Sequence, residues 1–374
     1  MAISIAVVRE TLAGEKRVAL VPEVAKKFSA LGATVLIEKS AGASALIPDG
    51  QYAGCEIVET AADALARADV VLKVQPPTLE EIAQMKPGAV CLGYMAAHLN
   101  LDRVKALQER NISAFSVELI PRISRAQSMD ALSSQAGVAG YKAVLIAAMA
   151  SGKFFPMLTT AAGTMKPSKC LVVGAGVAGL QALATARRLG AITEGFDVRP
   201  ETREQIESLG AKFLDLGVSA AGSGGYAREL TAEEKALQQS KLADHLKGID
   251  VVITTAAIPG RPSPKIITRA MVDGMKAGSV IVDIAAEGGG NCELTEPGKT
   301  IEHNGVTIVG PLNVPSMQPI HASDMYARNL LNYLSPFLKA GELKLDFADE
   351  IIAKSCVTHA GEIKHEPTRK LVEG

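Results

Sequence analysis

The chain has no tryptophan, and aromatic residues of every kind make up only 4% of it. Large rings therefore cannot be the main filling of its interior. Abundant alanine, glycine and valine suit strands and helices packed closely through small side chains. Cysteine is sparse: five residues, at 55, 91, 170, 292 and 356, with no C-x-x-C spacing. An odd, scattered set argues against a disulfide framework or a zinc site and fits a reducing cytosol. Neither sign of charge dominates, with 39 Lys and Arg against 40 Asp and Glu, so no overall basic field draws the chain to nucleic acid. Long apolar runs are missing too. The longest, AVLIAAMA, is far short of the roughly 20 residues of a membrane span. The start, MAISIAVVRE, enters a strand-like run without a basic n-region or cleavage site, so no signal peptide is expected.

What remains is globular material. The 374 residues are 48% hydrophobic and 21% charged, enough for two cores. In the first third, ISIAVV, TVLIE, CEIVE, DVVLKV, AVCLGY and SAFSVEL read as strands. Helical patterns such as PEVAKKFSALG lie between them, with Pro early and Gly past the end. From KCLVVGAG a second series follows: CLVVG, ITEGFDV, AKFLDL, DVVITTA, SVIVDIA and VTIVG. Strand–helix alternation predicts an α/β fold of two doubly wound, Rossmann-like domains. ADVVLKVQPP…MKPGAVCLGY also echoes IDVVITTAAIPG…MKAGSVIVDI, either as internal repetition or as chance likeness among parallel strands. Long helices are expected over 133–152 and 323–341, bridging the halves, and LKLDFADEIIAKSCVTHAGEIKH alternates like a hairpin. The simplest arrangement is a discontinuous first domain, 1–132 with 318–374, an inserted second domain, 133–317, and a cleft between them. A Gly/Ser-rich stretch at 217–240 reads as a long loop, either a functional lid or a solvated insertion.

The strongest local motif is CLVVGAGVAGLQALATARRLGA. A strand enters Gly174-Ala-Gly176-Val177-Ala-Gly179 and an alanine-rich helix leaves. In such a fingerprint the first Gly makes the tight turn. The second admits a pyrophosphate to the backbone N–H groups. The third lets helix and strand close up. The next strand-like run ends at Asp197, where a carboxylate can accept hydrogen bonds from ribose hydroxyls and repel a 2′-phosphate. That favours NAD(H), although Arg199 nearby could pair with the phosphate of NADP(H). Ala257 ends a strand on the same edge. Glu287 ends the next, and either faces the cleft or is a satisfied loop residue. The first half has no such fingerprint. Its last strand instead leads into PRISRAQSMDALSSQ, dense in Arg, Gln, Asp and Ser but without His, Cys or Lys. By itself that segment also reads as a capped helix start with a solvated charge pair.

Taken together, PRISRAQSMDALSSQ, VVGAGVAGLQA, FDVRPETREQIESLGAKF, GGYARE and GGNCELTEPG resemble one family over essentially the whole chain. It is the NAD(H)-binding component of proton-translocating nicotinamide nucleotide transhydrogenase, the soluble leading portion of the alpha subunit, within the alanine dehydrogenase/transhydrogenase superfamily. The resemblance implies an oxidoreductase component of a translocase that binds NADH and passes hydride directly to NADP⁺. It implies that Arg122, Gln127, Asp130 and Ser133 stand beside the nicotinamide. Gly174, Gly176, Val177 and Gly179 would meet the pyrophosphate, Asp197, Val198 and Arg199 the adenosine ribose, and Ala257 the adenine side. Gly225, Tyr226 and Gln238 would belong to a mobile loop that closes over the nucleotide. NADP(H), the membrane segments and the proton path would lie on partner subunits. A homodimer in the cytoplasm, docked at the inner membrane through those subunits and free of metal, completes the expectation. Hydride transfer between two nicotinamides needs no protein acid or base, which accounts for a polar cluster without His or Lys.

Alanine dehydrogenase is the alternative. Arg17 and Lys73 occupy positions like that family's substrate-binding Arg and Lys, but Ala96 stands where its His is expected and His98 lies two residues off. A non-catalytic NAD(H) sensor is a further alternative, for which the sequence offers no output surface.

Overall fold

The computed structural model describes residues 2–220, 228, 230–257 and 261–374. The chain divides into two compact units, Met1–Gln135 with Ser316–Gly374, and Ala136–Pro315. In the first, strands β1 (Ser4–Val7), β2 (Thr34–Glu38), β3 (Glu56–Val58), β4 (Val70–Leu72), β5 (Val90–Gly93) and β6 (Ser113–Ser116) alternate with helices α1 (Pro22–Ala30), α2 (Ala61–Arg67), α3 (Leu79–Gln84) and α4 (Leu101–Glu109). The strands are parallel in the order β3-β2-β1-β4-β5-β6. Neighbouring strand residues feed opposite cores. Ile5, Val7, Val35, Ile37 and Leu72 face one cluster, while Ala6, Val8, Leu36, Val71 and Cys91 face the other. A sheet covered on both faces is why these segments read as unbroken apolar runs rather than as alternation.

After a 3₁₀ turn at Ser124–Met129, helix α5 (Ala131–Ala150) carries the chain from the first unit into the second. The second unit opens with an exposed hairpin, β7 (Leu158–Thr160) and β8 (Gly163–Met165). Its sheet is built from β9 (Lys169–Val173), β10 (Ile192–Phe196), β11 (Lys212–Phe213), β12 (Val251–Thr254), β13 (Val280–Asp283), β14 (Thr300–His303) and β15 (Val306–Val309). Helices α6 (Val177–Arg188), α7 (Thr202–Ser208), α8 (Ala232–Leu246) and α9 (Arg269–Asp273) accompany them. The order is β11-β10-β9-β12-β13-β15-β14, parallel except for β14. The first unit thus carries the doubly wound 3-2-1-4-5-6 order, and the second repeats 3-2-1-4-5 before its last two strands exchange places as an antiparallel pair. The direction reverses beside β1 in one and β9 in the other, where ligands of such sheets bind.

The chain then re-enters the first unit through α10 (Pro319–Leu334), which lies wholly within it, and a short pair, β16 (Leu338–Lys339) and β17 (Glu342–Leu343). Helix α11 (Glu350–Ser355) leads to β18 (Cys356–His359) and β19 (Glu362–Ile363), which extend the sheet antiparallel beyond β6, and helix α12 (Glu366–Glu373) follows. Three sequence expectations are corrected here: the helix expected to bridge the halves over 323–341 is α10, which ends at Leu334 and stays within the first unit. The hairpin read across 343–365 is confined to β18 and β19. Residues before it form α11, because the Asp349 carboxylate caps the Ile351 N–H at 2.9 Å. The loop read across 217–240 ends early, because Thr231 and Glu234 form a capping box that starts α8.

The echo between the halves is structural. Asp69 precedes β4 and accepts the N–H of Ser4 at the start of β1 (3.0 Å). Asp250 precedes β12 and accepts that of Lys169 at the start of β9 (2.9 Å). Gly88 and Gly278 turn the chain into β5 and β13 with φ of 82° and 84°. At the opposite sheet edge, Glu38 accepts the Arg9 N–H (2.6 Å) and Asp197 accepts the Ala175 N–H (2.8 Å). Within the second unit, α5 lies so close to α6 that a β-carbon on Gly140 would sit 2.0 Å from the Ala178 carbonyl oxygen. We expect Gly140→Ala to destabilise the protein by about 1–3 kcal/mol, the usual cost of overpacking, read as a lower urea midpoint.

Candidate functional site

Strand β9 ends at Val173, and Gly174 turns the chain with φ of 97°, in the left-handed region that favours glycine. A β-carbon there would come within 2.7 Å of Thr255 Oγ1, and one on Gly179 within 1.8 Å of the Gly174 carbonyl oxygen. Both positions exclude a side chain. Gly176, the extended residue before α6, is different: a β-carbon on it would meet nothing within 4 Å. Open space there adjoins the first turn of α6, whose leading N–H groups have no partner within the helix. The arrangement suits a phosphate or pyrophosphate. Val177, first in the helix, is 47% exposed.

Asp197 follows β10 and is buried. Its carboxylate accepts the Ala175 N–H (2.8 Å), the Arg199 N–H (2.9 Å) and the Arg199 guanidinium through Nε (2.9 Å) and a terminal nitrogen (2.7 Å). Burial alone would raise its pKa. The Arg199 guanidinium and the backbone donors outweigh that and hold the carboxyl below its ordinary value. The pair lines a cavity of about 190 Å³ with Val198, Arg203, Phe213 and Ser219, and the Arg203 guanidinium lies over the Phe213 ring at 4.4 Å. Ala257 follows β12 and is exposed. Gln238 is buried on α8. Gly225 and Tyr226 lie outside the described residues. The Glu287 carboxylate accepts the Asn313 N–H at 2.6 Å, which makes it a loop anchor.

In the first unit, Arg122 and Gln127 are exposed on the segment around the 3₁₀ turn. Asp130 and Ser133 are brought together. The Asp130 carboxylate accepts the Ser133 N–H (2.9 Å) and hydroxyl (2.6 Å) at the first turn of α5. Arg125 forms a two-pronged pair with Asp349 instead (2.6 and 2.7 Å).

Sequence reasoning missed a buried ionic network in this unit. Arg17 is gripped by Glu15 (2.9 and 2.7 Å) and by the side-chain amide oxygen of Gln135 (3.0 Å), and Gln75 donates to Glu15 (2.7 Å). Lys73, 1% exposed, sits between Glu81 (2.8 Å) and Glu10 (3.2 Å). Burial would lower the Lys73 pKa, but the carboxylates of Glu10 and Glu81 raise it above its ordinary value. Burial pushes the Glu10 carboxyl up. For Glu81 a signal was available, since Thr78 and Glu81 close a capping box on α3. Ala96 has φ of 42° and its N–H is held by Glu118 (2.7 Å), while His98 is exposed.

The sign of the Asp197 shift gives a stability test. A carboxyl with a depressed folded-state pKa stabilises the fold above its unfolded pKa, and that contribution is lost as pH falls through the folded value. Wild type should therefore be more stable than Asp197→Asn near neutral pH. The difference should shrink as pH falls below the ordinary carboxylate range, measured by urea unfolding across pH.

Two family models match the chain: the alanine dehydrogenase/PNT N-terminal domain over residues 6–139 and the alanine dehydrogenase/PNT C-terminal domain over 143–366. A Rhodospirillum rubrum protein, named as the first part of NAD(P) transhydrogenase subunit alpha, is 48% identical over 96% of this chain and 97% of that protein. A crystal structure of transhydrogenase from Sinorhizobium meliloti superposes with a TM-score of 0.87 at 45% identity, covering 96% of this chain and 99% of that one. An L-alanine dehydrogenase structure superposes with a TM-score of 0.83 at 25% identity, covering 99% of each. The chain belongs to the alanine dehydrogenase/PNT family of oxidoreductases, on the branch of the NAD(P) transhydrogenase alpha subunits.

Proposed function

We propose that this chain binds NADH on its second unit and passes a hydride directly to NADP⁺ held by a partner subunit. The observation that carries the reading is the dinucleotide cradle at Gly174, Gly176, Gly179 and Asp197. It sits in a chain similar from end to end to a protein named as a portion of a transhydrogenase subunit. The residues fit NAD(H). The Asp197 carboxylate would repel a 2′-phosphate. Ribose hydroxyls would take acceptor positions that Arg199 now fills, so nucleotide binding displaces that guanidinium. Val177 stands at the pyrophosphate, Val198 at the ribose and Ala257 at the adenine side. Gln238, on α8, is read as a further contact for the nucleotide, while Gly225 and Tyr226 lie outside the described residues.

The dihydronicotinamide supplies the hydride, so the protein needs no proton donor or acceptor for the transfer. Its own task is to hold the ring in a reactive orientation and exclude water. Arg122, Gln127, Asp130 and Ser133 take that role, with Asp130 and Ser133 braced against each other. An amino-acid dehydrogenase would need a base. Lys73, buried between two carboxylates with a raised pKa, is poorly suited to it. No helix among the described residues is long and apolar enough to cross a membrane. On this reading the chain acts as a homodimer on the cytoplasmic side of the inner membrane. Partner subunits supply the NADP(H)-binding domain and couple the transfer to proton translocation.

Rapid mixing of the NADH-loaded protein with a transhydrogenase NADP⁺-binding domain should give a fast burst of transfer that requires both proteins. Absence of a burst, with NADH binding and docking both verified, would overturn the reading, and turnover of alanine with NAD⁺ would favour the dehydrogenase instead. Asp197→Asn should weaken NADH binding by about 1–3 kcal/mol, the scale of hydrogen bonds to a charged group, in a fluorescence titration. Gln127→Ala and Asp130→Ala should slow transfer at saturating NADH more than they weaken binding.

A further inference from the structure

The motif GGNCELTEPG ends at no ligand in the site described above, yet its asparagine is wholly buried. The Asn291 carboxamide donates to the carbonyl oxygens of Ala256 (2.7 Å) and Pro264 (2.9 Å) and accepts the Ala256 N–H (3.0 Å). Its own backbone carbonyl accepts the N–H groups of Ile266 (2.8 Å) and Ile267 (3.0 Å). One residue therefore grips the chain on both sides of the stretch that leaves β12. The near side of that stretch abuts the nucleotide turn. Thr255 Oγ1 donates to the Gly174 carbonyl oxygen at 2.9 Å, and a β-carbon on Gly174 would come within 3.1 Å of the Ala256 nitrogen.

We propose that Asn291 is a positioning residue for NAD(H): its carboxamide fixes Thr255–Ala256 against the Gly174 turn and so sets the wall of the nucleotide site. The inference rests on the reading of that turn as the NAD(H) site. The chemistry at position 291 is specific. Two carbonyls and one N–H converge there, which an amide satisfies with two donors and an acceptor. Aspartate keeps the shape but can donate to neither carbonyl. Serine is too short to reach both strands of chain.

Asp283 provides the control. It is equally buried on the same segment, but its bonds go to the N–H groups of Ala285 (3.2 Å) and Cys292 (3.0 Å) and the Thr295 hydroxyl (2.6 Å), away from Thr255 and Ala256.

The test measures NADH dissociation constants, melting temperatures and single-turnover transfer at saturating NADH in the full chain. Asn291→Asp should raise the NADH dissociation constant roughly tenfold, the scale of losing paired buried hydrogen bonds, with transfer at saturation kept within about twofold. Asn291→Ser, which brings in no charge, reports the same quantity if the aspartate variant does not fold. Asp283→Asn should lower the melting temperature without moving the dissociation constant. A folded Asn291 variant that binds NADH like wild type overturns the proposal. So does an Asp283→Asn protein whose affinity falls as far for the same loss of stability, since that would mark a structural role only. Wild-type protein that binds no NADH would instead refute the nucleotide site itself, and is separately visible before any variant is made.

Discussion

A β-carbon on Gly179 would lie 1.8 Å from the carbonyl oxygen of Gly174, and the second unit is organised around that missing atom. Without it, α6 can start directly on the end of β9, and its first N–H groups open onto the space beside Gly176. The same closeness passes outward. Gly174 is pressed on its other side by Thr255 and Ala256, and α5 comes down on Ala178 through the bare backbone of Gly140. Each approach is possible because a side chain is absent.

The first unit shows what the same framework becomes without that turn. The order of its first five strands matches that of the second unit, and its Asp69 bond to Ser4 and Glu38 bond to Arg9 repeat those of Asp250 and Asp197 there. Beyond β1, however, Glu10 stands where Gly176 stands beyond β9, and the chain runs on to Glu15 and Arg17. The carboxylates are paired with Arg17 and Lys73 out of contact with water. Ions buried in this way are costly to separate, by roughly 3–5 kcal/mol when one partner is removed. They are suited to holding geometry rather than to exchanging protons. That character agrees with the proposed reaction, in which the protein orients rings and the nicotinamide supplies the hydride.

Much of this was legible in the amino-acid order. Strands such as VVL at 70–72 and VVIT at 251–254 are short, apolar and β-branched, so burial on both faces was foreseeable. The glycine fingerprint and Asp197 fell at the expected places on the observed elements. The misreadings have local causes. Gly and Ser at 217–225 give a loop-like composition next to the Thr231 and Glu234 capping box, and alternation in 343–365 masks the Asp349 cap. Both caps were present in the sequence and outweighed by a stronger apparent pattern.

The sequence by itself determined the two doubly wound sheets, because apolar periodicity and glycine spacing are local properties that near neighbours reveal. It also named Asp197 and Arg199 as facing alternatives. Only the tertiary structure decided that they are bonded to each other, that Lys73 is locked between Glu10 and Glu81, and that Gln135 and Asn291 serve as buried clamps. These are contacts between residues distant along the chain or turned toward one another by a strand end. A polar side chain's role there depends on which donors and acceptors folding brings within about 3 Å of it, the reach of a hydrogen bond, and no short stretch of sequence carries that information.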